Sequence, residues 1–147
     1  MPNVTLKQAN TIIDAAIRAA RERGLAQICV SVLDGSGYLV AMQREDGATF
    51  MRPAVSMAKA WGAAGLGVNS RDISVRYEKA PRESGFINAL NAMSDGRVIP
   101  LPGGVLIIND DGKVCGAVGV SGALSEDDEA CALAGIKAAG LKSTIVD

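Results

Sequence analysis

Residues 102–122 constrain this chain more than any other stretch. Val105-Leu106-Ile107-Ile108 and Val114-Cys115-Gly116-Ala117-Val118 are almost wholly apolar, and Asp111-Gly112 lies between them. Apolar runs of that length read as strands, and a glycine in the connection reaches positive φ without a steric cost. The stretch is therefore expected to be an antiparallel hairpin covered on both faces. Gly103, Gly104, Gly116, Gly119 and Gly122 carry no side chain, so a helix, another backbone or a ligand can come close along this ribbon.

The pattern occurs twice. Residues 30–47 superpose on 105–122 at an offset of 75, with Asp34 on Asn109, Gly37 on Gly112, Ala41 on Gly116, Gly47 on Gly122 and Ala48 on Ala123. A helical stretch follows each hairpin. Two hairpin-plus-helix halves fold into a mostly antiparallel sheet with helices packed on it. The competing explanation is chance likeness between two Asp/Gly turns, which are common.

The rest of the chain supplies helices. Thr5 and Gln8 fit a capping box ahead of Leu6, Ala9, Ile12, Ile13, Ala16, Ile17 and Ala20, which recur at helical spacing up to a stop at Gly24. Strands are expected over 28–33 and 38–43. Pro53 suits the first turn of a second helix whose buried side is expected to be Val55, Met57, Ala58, Trp61, Ala64 and Gly65. Ser70 is expected to cap a short helix, and Pro81 interrupts the chain. Phe86, Ile87, Leu90 and Met93 mark one face of the next helix, which stops at Ser94-Asp95-Gly96. Val98-Ile99 is expected to form a short strand before Pro100 and Pro102. Ser125 is expected to cap the last helix, with Glu126, Asp127, Asp128 and Glu129 favoured in its first turn by the helix dipole. These acids lack the alternate spacing and central Gly of a calcium loop, so no metal site is expected there.

Composition removes several functions. The 147 residues suit a single domain over 1–147, and with 48% apolar but 3% aromatic residues the core must be Ala, Val, Ile, Leu and Met. Few rings remain to stack on bases, and a net charge of −1 gives no attraction to nucleic acid or an anionic membrane. Cys29, Cys115 and Cys131 lie in apolar segments and read as buried free thiols. No leader and no apolar run of about 18 residues is visible, so the cytoplasm is the expected location. Histidine is absent. Ser-His-Asp and Cys-His catalysis, His-ligated zinc and a proximal-His haem are thereby excluded within one chain, leaving Asp, Glu, Lys, Tyr or Cys for proton transfer.

Some residues admit two readings. Gly103-Gly104 is either a turn that needs glycine geometry or a loop whose N–H groups meet an anion. Ser121 is a turn hydroxyl or a ligand contact. Lys59, on a helix of small apolar residues, either snorkels to solvent or is a desolvated amine able to bind a carboxylate or act as a base. Arg44 and Asp46 form a surface ion pair by default, and Arg82-Glu83 could line the mouth of a site.

Taken together, Val32-Leu33-Asp34-Gly35-Ser36-Gly37-Tyr38-Leu39-Val40-Ala41, Arg44-x-Asp46-Gly47-Ala48, Lys59-Ala60, Pro102-Gly103-Gly104-Val105, Gly116-Ala117-Val118-Gly119-Val120-Ser121-Gly122 and Asp127-Asp128-Glu129-Ala130 resemble the GlcG/HbpS-like proteins, also called the haem-degrading domain family. The resemblance spans nearly the whole chain. It implies an α+β, profilin-like fold: a five-stranded antiparallel sheet with helices on both faces, an α/β/α sandwich. Some members of that family bind haem and assemble as octamers, one relative is attached to a cobalamin adenosyltransferase, and others accompany glycolate or aromatic catabolism. The chain departs from the family in having no histidine to ligate iron, and in carrying Gly104-Val105-Leu106 where many relatives have Gly-Gly-x-Pro.

The resemblance and the residues together set the expectation of a homo-oligomer, with the octamer as the family's number, that binds a small molecule. Its pocket is expected between the Gly103-Gly104 loop, the Lys59 helix and the strand end at Ser121. The ligand would be a small organic acid held by Lys59, backbone N–H groups and Arg44 or Arg82. In an isomerase, lyase or hydratase type of reaction, Lys59 or Glu83 would move the proton. The alternative is a haem-binding or haem-sensing module without catalysis, with Met51, Met57 or Tyr77 as axial partner. A third reading is a structural assembly unit with no pocket.

Overall fold

The computed structural model describes residues 3–145. Its elements in chain order are α1 (Leu6–Glu22), β1 (Cys29–Asp34), β2 (Leu39–Arg44), α2 (Arg52–Leu66), α3 (Ser70–Lys79), α4 (Pro81–Met93), β3 (Gly104–Ile108), β4 (Val114–Ser121) and α5 (Ser125–Ala138). The strands form one antiparallel sheet in the order β2-β1-β4-β3. The α+β class with helices on both faces stands, but the sheet has four strands where five were expected. Beyond β3 there is only a bridge between Ile108 and Lys142. Val98-Ile99 makes no strand, because Val98 is buried beside Ile73 and Ile87 and its carbonyl accepts from Asn91 Nδ2 at 2.7 Å.

The internal repeat is real in atomic detail. Asp34 Oδ1 accepts from the N–H groups of Ser36 and Tyr38, and Asn109 Oδ1 accepts from those of Asp111 and Lys113. The ladder shifts between Val32 and Leu33 in the first hairpin and between Ile107 and Ile108 in the second, again at the same offset. The two hairpins meet through β1 and β4 at the centre of the sheet.

Side chains alternate across the strands. Val30, Val32, Val105, Ile107, Val118 and Val120 face α1 and α5 and build the larger core with Ile12, Ile13 and Ile136. Leu33, Leu106 and Ala117 face α2 and pack on Ala60 and Ala63. Helices α3 and α4 pack on each other beyond α2, around Ile73 and Ile87.

The capping box on α1 forms as expected: Gln8 N donates to Thr5 Oγ1 at 3.0 Å and Thr5 N to Gln8 Oε1 at 2.9 Å. Two other caps do not. Ser70 and Ser125 lie inside their helices, after Asn69 and Leu124. Ser70 Oγ instead accepts from Gly104 N at 2.7 Å. The buried side of α2 is also rotated from expectation. Ser56, Ala58, Lys59, Ala60, Gly62 and Ala63 are buried, while Gly65 is exposed and Trp61 only half-buried. On α4, Ile87 is buried but Phe86 and Met93 are exposed.

Candidate functional site

The site begins where α2 lies directly on the sheet. Gly104 and Gly119 are register partners in β3 and β4. A Cβ at Gly119 would overlap the Ser56 carbonyl, and one at Gly104 would overlap the Lys59 carbonyl. Glycine is required at both positions so that the helix backbone can sit on the strands. The same descent carries Lys59 past Gly103 to the end of β4. Its Nζ donates to the Val120 carbonyl at 3.0 Å and to Asp128 Oδ2 at 3.1 Å. Their side chains are 3% and 2% exposed. Asp128 Oδ1 accepts from Ala123 N at 2.9 Å, which fixes the start of α5.

Burial sets the electrostatics of this pair. Desolvation pushes the Lys59 amine below its usual range, and Asp128 opposes that shift. Desolvation pushes the Asp128 carboxyl up, against the Lys59 charge and the Ala123 N–H. Arg52 adds a second cation that lowers both values. Its Nη1 donates to Ser121 Oγ at 3.3 Å. Among the described residues Arg52 has no carboxylate at ion-pair distance, while Lys59 has Asp128 in contact and Glu126 acting on it at longer range.

Ser121 sits in a row across the sheet, since Cys29 pairs with Ser121 on one side and with Arg44 on the other. Cys29 faces Ser56 of α2, and Ser56 Oγ lies 2.6 Å from Ser31 Oγ. Burial raises the Cys29 thiol pKa, which keeps it protonated and inert.

A second buried carboxylate adjoins the first. Glu129 is 5% exposed, and Arg71 of α3 holds its Oε1 at 3.0 Å. Its Oε2 has no partner, and desolvation pushes its pKa up.

The structure brings Lys59, Gly103, Gly104 and Ser121 together, as the sequence reading grouped them, and the space between them is filled by the Lys59 side chain itself. Lys59 does not snorkel to solvent. Arg44 stands at the same sheet end, two strands from Ser121. Its expected ion pair with Asp46 is replaced by one between Arg21 and Glu45 at 3.1 Å. Arg82 and Glu83 lie elsewhere. Arg82 is exposed on α4, and Glu83 pairs with Arg76 in a cleft of about 360 Å³ between α3 and α4. Arg76 holds the Glu83 carboxyl below its usual range.

Sequence reasoning missed Arg52, Asp128 and Glu129. Arg52 immediately precedes Pro53 at a helix start, a position that aims a side chain at whatever lies before the helix. The two acids were hidden in a run that helix capping already explained.

Arg52 itself is half-buried. Phe50, Met51 and Leu124, in the segments leading into α2 and α5, are 81%, 63% and 73% exposed. An enclosed haem site does not fit one chain. Histidine is absent, Tyr77 already donates its hydroxyl to Asn88 at 3.0 Å, the cavities beside Trp61 measure about 100 and 110 Å³, and the larger spaces, about 420 Å³ beside Arg44 and about 360 Å³ beside Glu83, are open surface clefts. Ligand pockets usually begin near ~300 Å³. Among the described residues no group of three or more His, Cys, Asp and Glu could hold a metal ion, and no helix is long and apolar enough to cross a membrane.

The family model described as haem degrading protein HbpS-like matches residues 4–137. An uncharacterized 15.0 kDa protein from the dhaT-dhaS intergenic region of Citrobacter freundii is 31% identical over 125 residues, covering 85% of this chain and 84% of that one. The crystal structure of Klebsiella pneumoniae protein ORFY superposes with a TM-score of 0.85 at 28% identity, covering 95% of this chain and 92% of that one. The crystal structure of a PduOC–haem complex superposes with a TM-score of 0.85, covering 96% and 98% of the two chains, and its 22% identity speaks for the fold alone.

Proposed function

The chain belongs to the HbpS-like haem degrading protein family, and on that premise we propose that it binds a small organic acid at the open end of the sheet. One observation carries the reading: Arg52, half-buried at the first position of α2, contacts a hydroxyl but no carboxylate. A guanidinium at a helix N-terminus is suited to a carboxylate ligand, because the two N–H arms and the helix dipole act on the same charge. Ser121 Oγ would complete the contact. The apolar body of the acid would lie on Phe50, Met51 and Leu124. Arg44, two strands away, would draw the anion in by its field. Lys59 is a positioning residue here: its amine, held by Asp128 and Val120, fixes the strand end that presents Ser121. The reading is binding without proton transfer, and Glu83 stays in its pair with Arg76. It includes self-association, with the family's octamer as the reference assembly, and a reducing cytoplasm in which three buried thiols stay free.

Calorimetric titration with glycolate and with benzoate tests it. The wild-type protein should bind at least one of them, and Arg52→Ala should weaken that binding roughly tenfold or more, about 1.4 kcal/mol per factor of ten. Equal affinity in the variant, or no binding of either acid, overturns the reading.

Haem is the second reading, favoured by Met51, an exposed thioether between Phe50 and Arg52. An axial sulfur and a cation for a propionate would then share the same rim. Hemin titration separates the two: a saturable Soret shift lost in Met51→Ala supports haem, and a diffuse response rejects it.

A further inference from the structure

The two edges of the sheet are treated differently. Along β3 the N–H groups of residues 104, 106 and 108 point away from β4, and each is satisfied. Gly104 N donates to Ser70 Oγ at 2.7 Å, Leu106 N to Asn69 Oδ1 at 2.9 Å and Ile108 N to the Lys142 carbonyl at 2.8 Å. Along β2 the corresponding groups are those of Met42 and Arg44. Glu45 N donates to the Ile28 carbonyl at 2.9 Å, so by alternation residues 43 and 41 also turn toward β1 and residues 42 and 44 turn outward. Neither Met42 N nor Arg44 N meets an acceptor among the described residues.

β2 carries one charged residue, Arg44 at its end, and is otherwise uncharged. Proteins usually blunt an open edge with charge, proline, a bulge or a covering segment, and here the ladder shift at Val40 is confined to the start of the strand. Residues 38–43 contain no charged residue and no proline, and Tyr38 and Leu39 are 73% and 49% exposed. We infer that this edge pairs with β2 of a second copy of the chain, antiparallel about a two-fold axis, making one eight-stranded sheet from two four-stranded ones.

The choice of a second copy rests on self-complementarity. An antiparallel two-fold sets the strand against its own reverse. With Ala41 opposite Ala41, Gln43 faces Leu39 and the Arg44 guanidinium faces the exposed Tyr38 ring, a favourable cation–π pairing. No like charges meet over residues 38–44. The small Ala41 at the axis lets the backbones close to pairing distance. The inference deepens the self-association proposed above by naming its surface, and it does not depend on which ligand Arg52 holds.

Ala41→Cys tests the register. Unbonded antiparallel pairs bring Cα atoms to about 4.5 Å, within disulfide reach. Mild oxidation should convert the variant to a covalent dimer, while the wild-type protein, whose three cysteines are buried, should not cross-link. Met42→Pro removes an outward N–H and should lower the mass measured by light scattering by half or more, with the helical circular dichroism retained. Leu39→Lys, at a half-exposed position, gives the same readout should the proline variant fail to fold. A wild-type monomer overturns both this inference and the self-association. Oligomers that survive both edge variants, or an Ala41→Cys protein that does not cross-link, overturn the edge alone. The acid titration on Arg52 is a separate measurement and can fail with the dimer intact.

Discussion

One sheet presents two unlike faces to its helices. The face toward α1 and α5 carries Val30, Val32, Val105, Ile107, Val118 and Val120, all β-branched, with Ile12, Ile13 and Ile136 of the helices set against them. The face toward α2 carries Cys29, Ser31, Leu33, Ala117, Gly119 and Ser121 on the same central strands. Burial of apolar area, at about 25 cal/mol per Å², holds the first. The second has less apolar surface to offer and is held by backbone contact and polar pairs: Ser31 with Ser56, Lys59 with Asp128, Arg52 with Ser121. The difference shows how a fold makes room for chemistry. Large side chains keep helices at a distance and leave nothing reactive between layers. Small ones let a helix settle on the strands and bring its charged residues to the sheet end.

The largest predicted effect tests that contrast directly. Gly119→Ala adds a methyl where the Ser56 carbonyl already sits, so α2 must lift as a unit. The loss should exceed the ~1–3 kcal/mol usual for overpacking, because backbone cannot turn aside as a side chain can. Ile107→Val removes a methyl from the other face and should cost only ~0.5–1.5 kcal/mol. Urea denaturation of both variants gives the comparison, and equal losses would mean the two faces tolerate volume change alike.

Next in size is the buried ion pair. Lys59→Met leaves the Asp128 carboxylate buried with one backbone N–H, and Asp128→Leu leaves the amine with one carbonyl. Removing one partner of such a pair typically costs ~3–5 kcal/mol, whereas replacing both by apolar residues is often nearly neutral. The double variant should therefore recover most of the stability lost by either single one. If it does not, the pair stabilises the fold by more than mutual neutralisation. The double variant should still lose the defined strand end at Ser121, and acid binding with it.

Much of this was legible in the chain and some could not be. The hairpin at residues 105–122 and its counterpart at 30–47 were readable because turn chemistry is local: an Asp or Asn, then a glycine three residues later, specifies the same loop twice. The capping box on α1 is local in the same way. The side that α2 buries was not readable from apolar spacing, since a helix seated on glycines buries its small and polar residues and leaves Trp61 at the margin. Strand count failed because Val98-Ile99 has β-branched residues but prolines at 100 and 102, and the carbonyl of Val98 was claimed by Asn91. At the site, Lys59, Gly103, Gly104 and Ser121 do lie at one sheet end, but the pocket expected between them is occupied by the Lys59 side chain. Asp128 was not readable, because its partner is distant in sequence and a helix start full of acids already had a sufficient explanation.

Glu129 offers the smallest effect and the finest test of how polar the α2 side can be. Its Oε2 is buried without a partner, and burial raises its pKa above the ordinary 4.5. A raised carboxyl binds its proton in the folded protein at pH values where the unfolded chain has released it, so its contribution is full below about pH 4.5 and is lost as pH rises through the folded value. Glu129→Gln keeps an acceptor for Arg71 and removes that titration. Relative to the variant, the wild-type protein should lose stability as pH climbs above about 4.5, by an amount near the lower end of the ~1–3 kcal/mol assigned to an unsatisfied buried group. Urea midpoints of the two proteins across that range are the measurement. Parallel curves would mean that Arg71 alone neutralises the carboxylate, and that the fold carries both buried acids of α5, Asp128 and Glu129, without penalty.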